Sequence, residues 1–443
     1  MAEEAKLKRT LTLYQVVLFG LAYMTPMIVF GTYGVLAETT NGFVPTAYAV
    51  ALIAMLFTAY SYGRMVKAFP VSGSAYTYTR KSIGPELGFM VGWAVLLDYF
   101  FLPMVIWLIG GAYLNAAFPV VPSWVWIVSF ILVTTVINLI GINVTTNVNL
   151  VMMVFQLLVL AIFIIMSIVS LLQGMGTGTI FSIDPLLSSD LNILSVVAGA
   201  SVAAYSFLGF DAITTLSEET INPKKTLPKA IFLITAIGGL IFVITSYFLD
   251  LVYPNFSEFP NTDTAAYEIA LEIGGNILGA IFLAGLIIAQ FASGLSAQTS
   301  AARLLYAMGR DGVLPKKIFG FVSSTTKTPA FNLIMVGIIG LVALTMDVAT
   351  STSFINFGAF ITFTMVNVSV IAYYFVKGQK RSGKNIILYL ILPLIGVGFD
   401  IGLFVNLSSN ALILGSIWVV IGFVYLLYLT KFFKQRPPDL DMG

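Results

Sequence analysis

Asp98 sits in Trp93-Ala-Val-Leu-Leu-Asp98-Tyr99, within an apolar stretch running from 86 to 116. It lies about 12 residues, or ~18 Å, from the start of that stretch. A carboxylate at such depth in lipid costs about 2.5–3.5 kcal/mol unless it meets a cation or strong donors, so it is the foremost candidate partner for an ammonium group. The structural alternative is a carboxyl hydrogen-bonded to nearby tyrosines or backbone for helix packing. A second acid, Asp211, ends Tyr205-Ser-Phe-Leu-Gly209-Phe-Asp211, where a helix would restart. There it could face a substrate or simply cap the helix by accepting backbone N–H groups. Asp400, nearer the outer end of its own stretch, reads as structural or peripheral.

The remaining chemistry is narrowed by what is missing. The 443 residues include no Cys and no His, which excludes disulfides, thiolate metal sites, cysteine nucleophiles and imidazole proton transfer. Proton handling falls to Asp, Glu, Lys, Tyr or water, with Glu86 a third candidate beside Asp98 and Asp211. No phosphate loop, nucleotide fingerprint, metal-ligand cluster or acid pair with a nucleophile is visible. No catalytic residue, cofactor, metal ion or nucleic acid is therefore expected, and the chain does not read as an enzyme. Ser293, Ser296 and Thr299 could offer oxygens to a sodium ion, or could only pack helices.

Composition explains where these acids must live. The chain is 58% hydrophobic and 9% charged, with a mean hydropathy of +0.97. A soluble globular chain carries about 25% charged residues to satisfy its hydrated surface. Stretches of about 20 apolar residues cross a bilayer as helices. Twelve are expected, at 14–38, 46–69, 86–116, 123–141, 147–172, 193–216, 229–253, 276–308, 329–347, 351–376, 385–405 and 410–433. The first follows a polar start without a cleavage site and reads as a retained span. The whole chain, 1–443, reads as a single domain.

Charge tests this count, because cytoplasmic loops collect Lys and Arg. All 22 of them fall in alternate connections: Lys6, Lys8 and Arg9; Arg64, Lys67, Arg80 and Lys81; Lys224, Lys225 and Lys229; Arg303, Arg310, Lys316, Lys317 and Lys327; Lys377, Lys380, Arg381 and Lys384; Lys431, Lys434 and Arg436. Both termini are expected to be cytoplasmic. The run from Gly309 to Lys317 reads as an interfacial segment on the membrane surface. The opposite face carries acids alone, among them Glu38, Asp184, Asp190, Asp250 and Asp263, which favours cations near it. The same pattern also arises merely from emptying that face of Lys and Arg.

Two expected spans are interrupted. The first reads Gly20-Leu-Ala-Tyr-Met-Thr-Pro26, and the sixth contains Gly209. Freed backbone groups survive in lipid only where they are buried or line a cavity. The two breaks stand five spans apart, at matching places in halves 14–172 and 193–376 that must have opposite orientations, followed by two extra helices at 385–433. Broken helices in inverted repeats point to the binding site of a secondary transporter. Ala22, Tyr23, Met24, Thr25 and Pro26 from one break, Ser206, Phe207, Gly209, Phe210 and Asp211 from the other, and Asp98 and Tyr99 form the expected substrate site.

These residues carry a resemblance. Phe69-Pro-Val-Ser-Gly-Ser-Ala-Tyr-Thr-Tyr78, Gly88-Phe-Met-Val-Gly-Trp93, Ser206 through Glu219, Pro228-Lys-Ala-Ile231 and Ser300 through Gly312 resemble the amino acid, polyamine and organocation permease superfamily over nearly the whole chain. Gly20 through Met27, Leu96 through Met104 and Asp211 through Thr220 are most similar to bacterial putrescine importers. The resemblance implies an all-α integral membrane protein of twelve helices with a 5+5 inverted repeat (LeuT-like), broken helices 1 and 6 and two C-terminal helices. It also implies a proton-coupled symporter in the cell membrane.

One departure bears on substrate. Amino acid permeases of this superfamily resemble one another in a glycine-rich run whose bare N–H groups receive a carboxylate, whereas this chain has Ala22-Tyr-Met-Thr-Pro26. Pro has no N–H and side chains replace the glycines, so a carboxylate cradle is weakened while Asp98 remains. The expected substrate is putrescine or a similar small amine, carried with a proton. The alternative is an amino acid importer of the same fold, coupled to protons or sodium. A channel or a membrane sensor fits less well, since neither a filter motif nor a soluble signalling domain is visible.

Overall fold

The computed structural model describes residues 9–71, 74–140, 146–310, 312–323 and 328–438. Lys6, Lys8 and Lys327, together with Ser72, Gly73 and Asp311 of the quoted motifs, lie outside them. The described chain is helical, with one isolated bridge between Leu11 and Thr220.

The first expected span is a bent pair, α1 (Leu13–Met24) and α2 (Ile28–Thr40), whose axes differ by 46°. Pro26 would have to give an N–H to the carbonyl of Ala22 for the helix to continue, and it has none. The Thr25 hydroxyl donates to that carbonyl instead, at 3.3 Å, while Thr25 itself turns left-handed at φ 54°. Then come α3 (Val44–Ala68), the short polar α4 (Ser74–Ser82), α5 (Pro85–Ala117), α6 (Ser123–Ile140) and α7 (Thr146–Leu172).

The sixth span opens with α8 (Ile193–Ala203), capped by Asn192, whose side chain accepts from the N–H groups of Leu194 and Ser195. It then tightens into 3₁₀ turns at Ala204–Phe207 and Ala212–Glu218 on either side of Gly209. Beyond it lie α9 (Pro223–Val252), α10 (Ala265–Arg310), α11 (Lys316–Phe319) and α12 (Ala330–Gly340), which continues through Leu341–Thr345. α13 (Val348–Val370) runs on as a π-helix over Ile371–Lys377. α14 (Gly383–Ile386) leads through π-helical Ile387–Ile391 into α15 (Leu392–Phe404), and α16 (Ser409–Leu429) closes the bundle.

Among the described residues ten helices are long and apolar enough to cross a membrane, or eleven with α1 and α2 counted as one span. The stretch expected at 329–347 falls on a shorter apolar helix, Ala330–Thr345. Two expected starts also shift. The seventh span begins at Pro223, because a proline in the first turn costs no helical hydrogen bond, so Lys224, Lys225 and Lys229 ride on the helix. α10 begins at Ala265 and kinks at Gly275 (φ 61°, ψ −161°), which sets a short helical piece bearing Glu268 and Glu272 ahead of the apolar run.

α5 lies at the centre, packed against α4, α6, α10, α13 and α16. In the apolar windows of the sixth span and of α13, 72% of residues are buried inside the protein, against 17% for α16. The last helix is therefore a peripheral one whose exposed Ile413, Ile417, Val420 and Val424 suit lipid. It docks through a reciprocal pair: the Trp93 indole donates to the Trp418 carbonyl and the Trp418 indole to the Trp93 carbonyl, both at 2.9 Å.

Segments expected on one side meet there. The backbone of Thr10 and Leu11 pairs with that of Glu219 and Ile221, the Tyr374 hydroxyl donates to the Arg64 carbonyl at 3.1 Å, and Arg80 reaches the Pro438 carbonyl at 3.4 Å. At the opposite end the Thr46 hydroxyl donates to the Leu186 carbonyl at 2.7 Å and Tyr247 bonds Ser182 at 2.9 Å.

Candidate functional site

The two breaks touch each other. Gly209 has φ +115°, a left-handed backbone that disfavours any side chain, and a methyl group there would stand 2.4 Å from Cδ1 of Tyr23. The Tyr23 ring thus sets its Cδ1 edge against the interrupted backbone of the sixth span. Leu208 before it is extended (ψ 130°), and Asp211 and Ala212 follow into the second 3₁₀ turn.

α5 brings Asp98 and Tyr99 to the same place. Asp98, Asp211, Tyr99 and Tyr205 all lie near enough to Tyr23 for their charges to act on it, and Asp98 and Asp211 act on each other. One helix turn before Asp98, Gly358 of α13 sits against the Ala94 carbonyl, where an added methyl would be 2.5 Å from the oxygen, so α13 closes tightly beside the acid. Pro103, inside α5, has no N–H to give the carbonyl of Tyr99. Pro26 and Pro103 therefore each withdraw a helical donor from a carbonyl of this region, those of Ala22 and Tyr99.

The expected residues divide by exposure. Ala22, Tyr23, Asp98, Tyr99 and Asp211 are partly exposed although they lie deep in the bundle, as residues lining an internal space would be. Met24, Thr25, Pro26, Ser206, Phe207, Gly209 and Phe210 are buried. Ser206 is bound to packing: its hydroxyl is 3.0 Å from that of Tyr48, which is 2.9 Å from Thr32 Oγ1, tying α2, α3 and the sixth span together. Phe210 packs edge-on to Tyr62, with ring centroids 5.6 Å apart.

The carboxylates differ in their partners. Oδ1 of Asp98 is buried and has no hydrogen-bond partner. A carboxylate oxygen in that condition is a costly vacancy for a donor, and a charged donor is the best match. Asp211 makes no regular side-chain cap to the turn that follows it, but the backbone N–H groups of Gly209, Asp211 and Ala212 lie beside its carboxyl and the Tyr62 hydroxyl stands 3.5 Å from its Oδ2. Among the described residues no group of acids fit to hold a metal ion occurs.

Other polar residues belong to packing. Asp400 is fully buried and accepts from Thr58 at 3.2 Å and from Asn367 at 2.8 Å, joining α3, α13 and α15. Asp250, expected among the outer acids, is 5% exposed and accepts from the Tyr33 hydroxyl at 2.6 Å. Thr299 bonds Asn138 and the Leu295 carbonyl, at 3.0 and 2.9 Å. Ser296 is exposed on the outside of α10. Glu86 lies in the first turn of α5, where the helix dipole favours an acid, 12 residues or ~18 Å from Asp98.

Sequence reading did not single out Tyr205, Tyr62 or Tyr48. Tyr205 opens a quoted motif, but aromatic residues are 14% of the chain and nothing in the sequence marks which of them face the breaks.

The family model described as amino acid permease matches residues 15–435. The low-affinity putrescine importer PlaP of Escherichia coli (strain K12) is 43% identical over 98% of this chain and 97% of its own length. The branched-chain amino acid permease BcaP of Bacillus subtilis (strain 168) is 26% identical over 97% of this chain and 95% of its own. The human cationic amino acid transporter 4 is 28% identical over 86% of this chain and 62% of its own.

Proposed function

The chain belongs to the amino acid permease family, within the amino acid, polyamine and organocation superfamily, and from that premise we propose that it imports putrescine or a similar small amine by proton symport. It is a multi-pass membrane protein. In this reading it resides in the cell (plasma or inner) membrane with both termini cytoplasmic, as the one-sided distribution of Lys and Arg favours.

The observation that carries the reading is the unpartnered Oδ1 of Asp98, in a partly open space that also holds Asp211, Tyr23 and Tyr99. An alkylammonium head brings the donors that this oxygen lacks. The Tyr99 carbonyl, which Pro103 cannot serve, offers a further acceptor, as does the second lone pair of the Ala22 carbonyl beside its bond from Thr25, and the tyrosine rings offer faces for a cation. The weakened carboxylate cradle at Thr25 and Pro26 favours an amine over an amino acid. The 43% identity to a putrescine importer supports the same choice. Alternating access would move one group of helices against the other around the two breaks.

Uptake of labelled putrescine into proteoliposomes under an inward proton gradient tests this, with and without protonophore, and with amines and amino acids as competitors. Gradient-dependent uptake competed by amines supports the proposal. Accumulation of an amino acid in place of putrescine would make the chain an amino acid importer and overturn the argument from Pro26.

A further inference from the structure

At the basic end of the bundle two stretches that carry no acid of their own come together. Residues 39–85 and 348–399 contain no Asp or Glu, yet they supply Arg64, Lys67 and Lys81 from one stretch and Lys377, Lys380 and Lys384 from the other. The fold puts the two stretches side by side. The Arg64 guanidinium lies 4.8 Å from the Tyr60 ring centroid and 5.4 Å from that of Tyr389. The Lys380 ammonium lies 5.0 Å from the Tyr374 ring and 5.6 Å from the same Tyr389. Tyr374 and Tyr389 are stacked, 4.5 Å apart at 10°. Around Tyr60, Lys67 and Tyr374 the acting charges are those of Arg64 and neighbouring tyrosines, with no carboxylate among them.

Two π-helical runs, Ile371–Lys377 and Ile387–Ile391, carry Tyr374 and Tyr389. Wide turns of this kind recur at functional sites. Hydrogen bonds fix the seam: Tyr60 donates to the Leu388 carbonyl at 2.8 Å and Tyr374 to the Arg64 carbonyl at 3.1 Å. A bias for Lys and Arg on one side accounts for the sign of this surface. It does not account for two cations seated on one aromatic stack shared by α3, α13 and the start of the eleventh span.

We propose that this cluster is a binding site for the phosphate headgroup of an anionic phospholipid, held by Arg64 and Lys380 with Lys67 beside them. Cations of one sign, with no acid beside them among the described residues, at the ends of membrane-crossing helices, attract anionic headgroups, and tyrosines are at home at that depth. Exposed Val376 and Ile387 on the same two helices offer apolar surface to acyl chains, which a soluble phosphate would not use. The lipid would bridge the first half of the chain to the helices that end the second.

The test is native mass spectrometry of the full chain released from bilayers of equal parts phosphatidylcholine and phosphatidylglycerol. Wild type is expected to retain phosphatidylglycerol preferentially. Arg64→Gln/Lys380→Gln should lose at least roughly tenfold of that retention, while Lys316→Gln/Lys317→Gln, with the same charge removed from α11, should keep it. Lys67→Gln/Lys380→Gln alters only exposed head groups, leaves Arg64 on its rings, and should show an intermediate loss even where the first variant does not fold. Equal retention by all variants, or equal loss in the α11 control, overturns the site in favour of diffuse charge. Displacement of the lipid by inorganic phosphate, with a thermal shift from phosphate alone, overturns the lipid as occupant. Transport is not the readout, so failure here leaves the proposed function standing.

Discussion

The ring of Tyr23 rests on the bare Cα of Gly209, so the two interrupted spans meet at a contact too close for any side chain. This contact joins segments about 190 residues apart in sequence. Gly209→Ala is expected to cost about 1–3 kcal/mol, from the left-handed φ and the clash together. Thermal unfolding in detergent measures it, and shortening Tyr23 in the Gly209→Ala background should return only part, since the φ remains.

Asp98→Asn should leave the fold intact, because the carboxyl makes no hydrogen bond through Oδ1 that the amide would break. Uptake should fall about 10- to 100-fold, the worth of a charge-assisted contact. A variant with wild-type uptake and wild-type melting would remove Asp98 from the site.

Pro26→Gly restores an N–H at the first break. The amine should still be carried, and amino acids should compete more strongly, because a carboxylate gains a donor. Competition curves for putrescine uptake report this, and unchanged amino acid inhibition would separate the break from substrate choice.

Asp400→Leu removes the acceptor shared by Thr58 and Asn367 in a fully buried setting. Stability should drop by about 1–3 kcal/mol, whereas Asp400→Asn, which keeps an oxygen there, should cost less. The protein that does fold should transport normally, because Asp400 lies in the packing between α3, α13 and α15. Loss of uptake at full stability would give Asp400 a part in coupling.

Trp418→Phe deletes one bond of the reciprocal pair and leaves the Trp93 carbonyl without its donor. A loss of about 1 kcal/mol is expected, with the last helix the first to loosen. Hydrogen exchange over 409–429 follows it.

Class, the apolar stretches and the two breaks were all legible in the sequence. Each of these is set by local composition against a solvent that tolerates neither charge nor bare backbone. Pro26 and Gly209 announced their breaks because a missing N–H and a missing Cβ act within one turn. The chain could not say on its own that Ser206 is turned into a hydroxyl chain with Tyr48 and Thr32, that Asp250 is buried under Tyr33, or that Tyr205 and Tyr62 stand beside the acids. Nor did it show that Thr299 is occupied by Asn138, or that Arg64 and Lys380 share the Tyr374–Tyr389 stack. Those outcomes depend on which faces of distant helices meet. Every face here is apolar enough for lipid or for packing, so periodicity does not distinguish inside from outside, and only the assembled bundle does.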